Sequence, residues 1–75
     1  MELMSRHLSD DCGCPEEIWM MRNLEVTIHL EPDGRGDMHI DAGDWEHEST
    51  FDSCAGMDDL RARAKRFVDA LPEEQ

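Results

Sequence analysis

From Leu24 to Glu31 the chain alternates without a break, with Leu24, Val26, Ile28 and Leu30 on one side and Glu25, Thr27, His29 and Glu31 on the other. A period of two is that of a strand with one face buried and one face in water. Pro32-Asp33-Gly34-Arg35-Gly36 then supplies turn residues, and alternation resumes with Met38, Ile40 and Ala42 inward and Asp37, His39 and Asp41 outward. Gly43-Asp44 marks a second turn, after which Trp45, His47, Ser49 and Phe51 share one face and Glu46, Glu48 and Thr50 the other. Facing residues must lie on the same side of a sheet. That rule pairs Glu31 with Asp37 and His29 with His39 in the first hairpin, and Ala42 with Trp45 and His39 with Glu48 in the second.

From Cys54 the spacing changes to threes and fours through Met57, Leu60, Ala64, Phe67, Val68 and Leu71, the stripe of a helix with one apolar side. Ser53 is the expected N-cap, Asp58 and Asp59 suit the first turns, Arg61, Arg63, Lys65 and Arg66 follow, and Pro72 closes the pattern. Residues 1–22 lack a clear period. Ser9-Asp10-Asp11-Cys12-Gly13-Cys14 reads as a loop and Pro15-Glu16-Glu17-Ile18-Trp19 as the start of a short helix. The expected fold is α+β within a single domain: an N-terminal loop and short helix over 1–22, then a three-stranded antiparallel sheet over 23–75 with a C-terminal helix packed on one face.

A chain of 75 residues buries only about 60% of its unfolded surface, so the core must be thin. Charge changes the picture more than size does. Nineteen Asp and Glu stand against seven Lys and Arg, a formal net charge of −12. Such a chain lacks the cations that would replace the counterions of a nucleic acid, and it is repelled by anionic membranes. A basic protein surface is the partner that this field favours. The longest apolar run, Ile18-Trp19-Met20-Met21, is too short for a secretory core or a membrane span, which points to the cytoplasm. Three cysteines in that setting are expected as thiols or metal ligands, not as a disulfide framework.

Six carboxylates, Glu25, Glu31, Asp37, Asp41, Glu46 and Glu48, fall on the outer sheet face with no Lys or Arg among them. Like charges opposite one another destabilise a sheet, so this grid is the expected partner-binding surface. The expected register also lines up His29, His39 and Glu48, two imidazoles and a carboxylate of the kind that holds zinc. His7, Cys12, Cys14 and Cys54 form a second candidate set, although Cys-x-Cys with one distant Cys is not a standard zinc spacing. The cations at 61–66 make the molecule bipolar and allow a homodimer in which one copy's helix meets another's acidic sheet. No phosphate loop, nucleophile motif or paired acid and base is present, and a non-enzymatic role is expected.

In size, acidity and strand-strand-strand-helix order the chain resembles the small acidic inhibitors encoded by bacteriophages, above all the anti-CRISPR proteins. The resemblance rests on no shared motif. It implies a protein of the host cytoplasm that binds a Cas effector complex, in some members by imitating DNA at a basic channel, with the six outer acids as the contact set. The order of elements is also similar to that of a double-stranded RNA-binding domain, but such domains grip phosphates with cations that this chain lacks. Accessory subunit of a larger assembly is a third expected role.

Overall fold

A computed structural model of the chain describes residues 1–72. It contains five strands, β1 (Glu2–Leu8), β2 (Pro15–Met21), β3 (Leu24–Leu30), β4 (Gly36–Asp41) and β5 (Glu46–Phe51), followed by one helix, α1 (Met57–Asp69). The strands form a single antiparallel meander in the order β1-β2-β3-β4-β5, and α1 packs across one face, chiefly on β3 and β2. The α+β class and the C-terminal helix on an antiparallel sheet are as the periodicity implied. The sheet has five strands, not three, because the first 22 residues form a β-hairpin in place of a loop and short helix. The expected second segment ran to residue 75, and 73–75 lie outside the described residues.

The hairpin escaped the pattern for local reasons. In β2 the outer face takes Ile18 and Met20 and the inner face Trp19 and Met21, so a continuous apolar run hides the alternation. In β1 the pairing slips between Leu3 and Ser5, which breaks the period after two residues. The β2–β3 turn is Arg22-Asn23, both in the left-handed region at φ 52° and 63°. That is the backbone of a primed two-residue turn, built without the glycine that usually announces one. Pro15 occupies the first position of its strand, where a missing N–H is tolerated.

The first expected register is also corrected. Leu30 faces Gly36, His29 faces Asp37, Thr27 faces His39 and Glu25 faces Asp41, two residues away from the expected pairing. Faces are preserved by an even shift, but every row changes. Glu31 N–H donates to Arg35 O at 2.8 Å and Gly34 N–H to Glu31 O at 3.0 Å, so the loop closes from Glu31 onto Arg35, two residues before the expected Asp37. Gly36 is thereby a strand residue buried beneath the helix. A Cβ there would lie 2.5 Å from Leu60 Cδ1 and 3.0 Å from Cys54 Sγ, so any side chain at this position would have to displace Leu60. The second hairpin has the expected register, with His39 opposite Glu48 and Ala42 N–H donating to Trp45 O at 3.0 Å.

Val26, Ile28, Met38 and Ile40 from the sheet meet Leu60, Ala64 and Val68 from α1, the last three spaced by one helical turn. Ser53 is not the N-cap: it adopts φ 60° in the approach to the helix, and Gly56 takes the cap position. The Asp59 carboxylate accepts a 2.9 Å bond from Ala55 N–H, and that bond, ahead of the nearby Arg63, holds its pKa below the usual aspartate value. Cys54 precedes the helix and is buried in the core. At the other end Arg22 donates to the carbonyls of Val68, Leu71 and Pro72, so the β2–β3 turn closes the helix C-terminus.

Two polar groups sit on the inner side. Glu17, 3% exposed, accepts bonds from Arg61 Nε and Nη2 at 3.1 Å each, Arg6 Nε at 3.0 Å and Trp19 Nε1 at 2.7 Å, and Arg61 also lies over the Trp19 ring at 5.4 Å. Burial pushes the Glu17 pKa up, but the bonds from Arg61, Trp19 and Arg6 together outweigh it and leave the carboxyl below its ordinary value. His47 and Ser49 satisfy each other at 2.7 Å, while the His47 ring stacks on Phe67 at 5.0 Å. The inner face of β5 is therefore polar in sequence yet packed in structure.

The outer sheet face as candidate functional site

With strands about 4.8 Å apart and like-facing residues about 6.7 Å apart along each strand, the outer face is a grid of side chains in cross-strand rows. One row reads Glu2, Met20, Glu25, Asp41, Glu46. The next is Ser5, Ile18, Thr27, His39, Glu48, and the third His7, Glu16, His29, Asp37, Thr50.

The first row places three carboxylates directly opposite one another, all exposed. The His39 imidazole lies beside it, its Nε2 3.5 Å from Glu46 Oε1 without a hydrogen bond. In the second row His39 Nδ1 is 3.8 Å from Glu48 Oε2. In the third Asp37 accepts a 3.3 Å bond from the Thr50 hydroxyl. Arg35, on the β3–β4 loop, reaches this border at 3.9 Å from both Glu31 and Asp37. The other cations described in ion pairs face inward or lie along the helix: Arg6 and Arg61 with Glu17, Arg63 with Asp59 and Lys65 with Asp69.

Five of the six expected contact acids, Glu25, Asp37, Asp41, Glu46 and Glu48, thus occupy the outer grid. Glu31 does not join a row. It lies beyond the end of β3 and turns to His29 Nε2 at 2.8 Å. The expected zinc row of His29, His39 and Glu48 is not assembled: His39 faces Glu48, but His29 sits in the neighbouring row opposite Asp37, as the two-residue register shift dictates. His29 is held instead between Glu16 Oε1 on Nδ1 at 3.3 Å and Glu31 on Nε2. Glu16 continues to His7 Nε2 at 3.3 Å, and His7 Nδ1 to the Ser5 hydroxyl at 3.1 Å.

The set of His7, Cys12, Cys14 and Cys54 is divided as well. Cys54 is a free thiol in the core, near Phe51 O at 3.7 Å, on the side of the sheet opposite to His7. Cys12 and Cys14, expected as thiols, are disulfide-bonded, with Cα atoms 5.3 Å apart. They lie in the β1–β2 loop, closed by Ser9 N–H to Cys14 O at 2.8 Å and Gly13 N–H to Ser9 O at 2.9 Å, with Gly13 at φ 69°. That loop folds over the end of β3, which brings Cys12 Sγ to 3.6 Å from His29 Nε2.

Glu16 was missed from sequence because a helical reading of Pro15–Trp19 hides that Glu16 and Glu17 point to opposite faces. The usable signal was Glu16-x-Ile18-x-Met20 against Glu17-x-Trp19-x-Met21, two matched faces of a strand. Among the described residues no helix is long and apolar enough to cross a membrane. No protein-family model, curated protein or solved structure matches the chain.

Proposed function

We propose that this is a non-catalytic binding domain that docks through its acidic outer sheet face onto a basic protein surface of the kind that holds nucleic acid, such as the channel of a Cas effector complex. The row Glu25-Asp41-Glu46 carries this reading. Opposed like charges cost a sheet about 0.2–1 kcal/mol each, and three carboxylates stand in register here while Arg35 reaches only Glu31 and Asp37 and Arg22, Arg61 and Arg63 are engaged at Glu17 and the helix ends. A cationic surface would relieve that repulsion on docking and be steered to it from a distance. Self-association of helix on sheet has less support, since Arg61, Arg63 and Lys65 are already matched by Glu17, Asp59 and Asp69.

The test is reconstitution with a partner captured from the source cell and purified. Replacing Asp41 and Glu46 by Lys should weaken binding at least tenfold, flatten its salt dependence and leave the fold intact, and duplex DNA should compete with the native protein for the same partner. Unchanged affinity in the double variant, or no competition by DNA, would defeat the proposal.

A further inference from the structure

Where the β1–β2 loop meets the end of β3, four donor side chains converge from two segments of the chain. Cys12 and Cys14 come from the loop, His29 from β3 and Glu31 from the residue after Leu30. One ligand atom of each lies within 4.8 Å of all the others. Tetrahedral zinc with bonds of about 2.0 Å to N and O and about 2.3 Å to S needs donors about 3.3–3.8 Å apart. Cys12 Sγ to His29 Nε2, at 3.6 Å, already has that separation, and Nε2 to Glu31 Oε2, at 2.8 Å, would open by about half an ångström.

The orientation of His29 is the second argument. Its Nε2 faces the donor set while its Nδ1 is directed at Glu16 Oε1, 3.3 Å away, and Glu16 is itself tied to His7. A carboxylate behind the far nitrogen fixes the tautomer, turns the ring and raises the basicity of the ligating nitrogen, which is the support that metal-bound histidines have. The site is half sheltered: Cys14 is buried, and His29 and Glu31 are only partly exposed.

We propose that in its reduced state the protein binds one Zn²⁺ through Cys12, Cys14, His29 and Glu31, with Glu16 as the residue that positions His29. The two states of the cysteine pair exclude each other. While Cys12 and Cys14 are bonded, no thiolate is offered. Two equivalents of a thiol reductant give two cysteine thiols and one disulfide of the reductant, and zinc then displaces the two thiol protons as its Zn–S bonds form. Two thiolates and one carboxylate around Zn²⁺ sum to a net charge of about −1, the same as the Glu31 carboxylate beside two neutral thiols, so binding leaves the charge of the acidic edge unchanged. This site goes beyond the docking face and stands without it.

The experiment is titration of the phosphine-reduced, oxygen-free protein with Co²⁺, followed by displacement with Zn²⁺. One equivalent of Co²⁺ should produce a thiolate-to-cobalt charge-transfer band that Zn²⁺ abolishes. Cys12→Ser, at an exposed loop position that leaves the circular dichroism spectrum unchanged, should remove the band. Glu16→Gln should weaken binding by about 10- to 100-fold, and His39→Ala, one row away, should leave it as it was. Absence of one-equivalent binding by the reduced protein, equal binding by the oxidised protein, or an unaltered band in Cys12→Ser would overturn the assignment.

Discussion

Glu17 shows how strongly one side chain can be set by what surrounds it. Glu16 and Glu17 are neighbours in sequence, but Glu17 turns under the sheet into four N–H donors from three residues and is nearly inaccessible. Burial alone would raise its pKa. The bonds from Arg61, Trp19 and Arg6 reverse that outcome and lower its pKa. A folded-state pKa below the unfolded one means that this group's contribution is fully present above the unfolded value, about 4.3, and is lost as pH falls through the lower folded value. Glu17→Gln keeps the shape but removes the charge. It should cost about 2 kcal/mol at pH 7, less than a fully buried pair because Arg6 and part of Arg61 are wetted. In urea unfolding the gap between the two proteins should narrow as pH falls below about 4.3, where the unfolded carboxylate takes up a proton and the native one, its pKa lowered, does not. A gap that stayed constant with pH would show that shape, not charge, holds this cluster.

At the scale of elements, the strands whose one face is buried and the other wet were legible, and those with apolar residues on both faces were not. β3 and β4 announced themselves through Leu24-Val26-Ile28-Leu30 and Met38-Ile40, and α1 through Leu60-Ala64-Val68. The β1–β2 hairpin was hidden by the apolar run at 18–21, by the slip at Leu3/Ser5 and by a turn made of Arg22-Asn23. The candidate site followed the same division. Its acids could be assigned to a face by parity alone, whereas its rows depended on a register that parity does not set. In the observed register Gly36 is the residue that lets Leu60 and Cys54 pack against the start of β4. Gly36→Ala should therefore destabilise the protein by about 1–3 kcal/mol, as overpacking of a filled core does. The loss should appear as a lower urea midpoint with an unchanged slope. No loss would mean that Leu60 yields easily and that the close approach is not needed for the packing of α1.

For the whole molecule the question is how a charge of −12 is tolerated by a body of 36 × 22 × 19 Å. At physiological ionic strength the screening length is about 8 Å, so acids at opposite ends scarcely feel each other, while adjacent strands at about 4.8 Å do. The repulsion that matters is thus local to Glu25, Asp41 and Glu46, each pair of which costs about 1 kcal/mol or less at a wetted surface. Asp41→Lys with Glu46→Lys shifts the net charge from −12 to −8, two units for each of two residues. It also places a cation between Glu25 and the sheet edge. Positions 41 and 46 face each other and stay like-charged in the variant, so only the pair with Glu25 turns attractive; the double variant should be about 1 kcal/mol more stable than the native protein in low salt, and that advantage should fade as sodium chloride rises. Stability and partner binding should therefore move in opposite directions in one variant. A surface selected only for solubility has no reason to keep an arrangement that weakens the fold, so a double variant no more stable than the native chain would remove the argument that this row is held for binding.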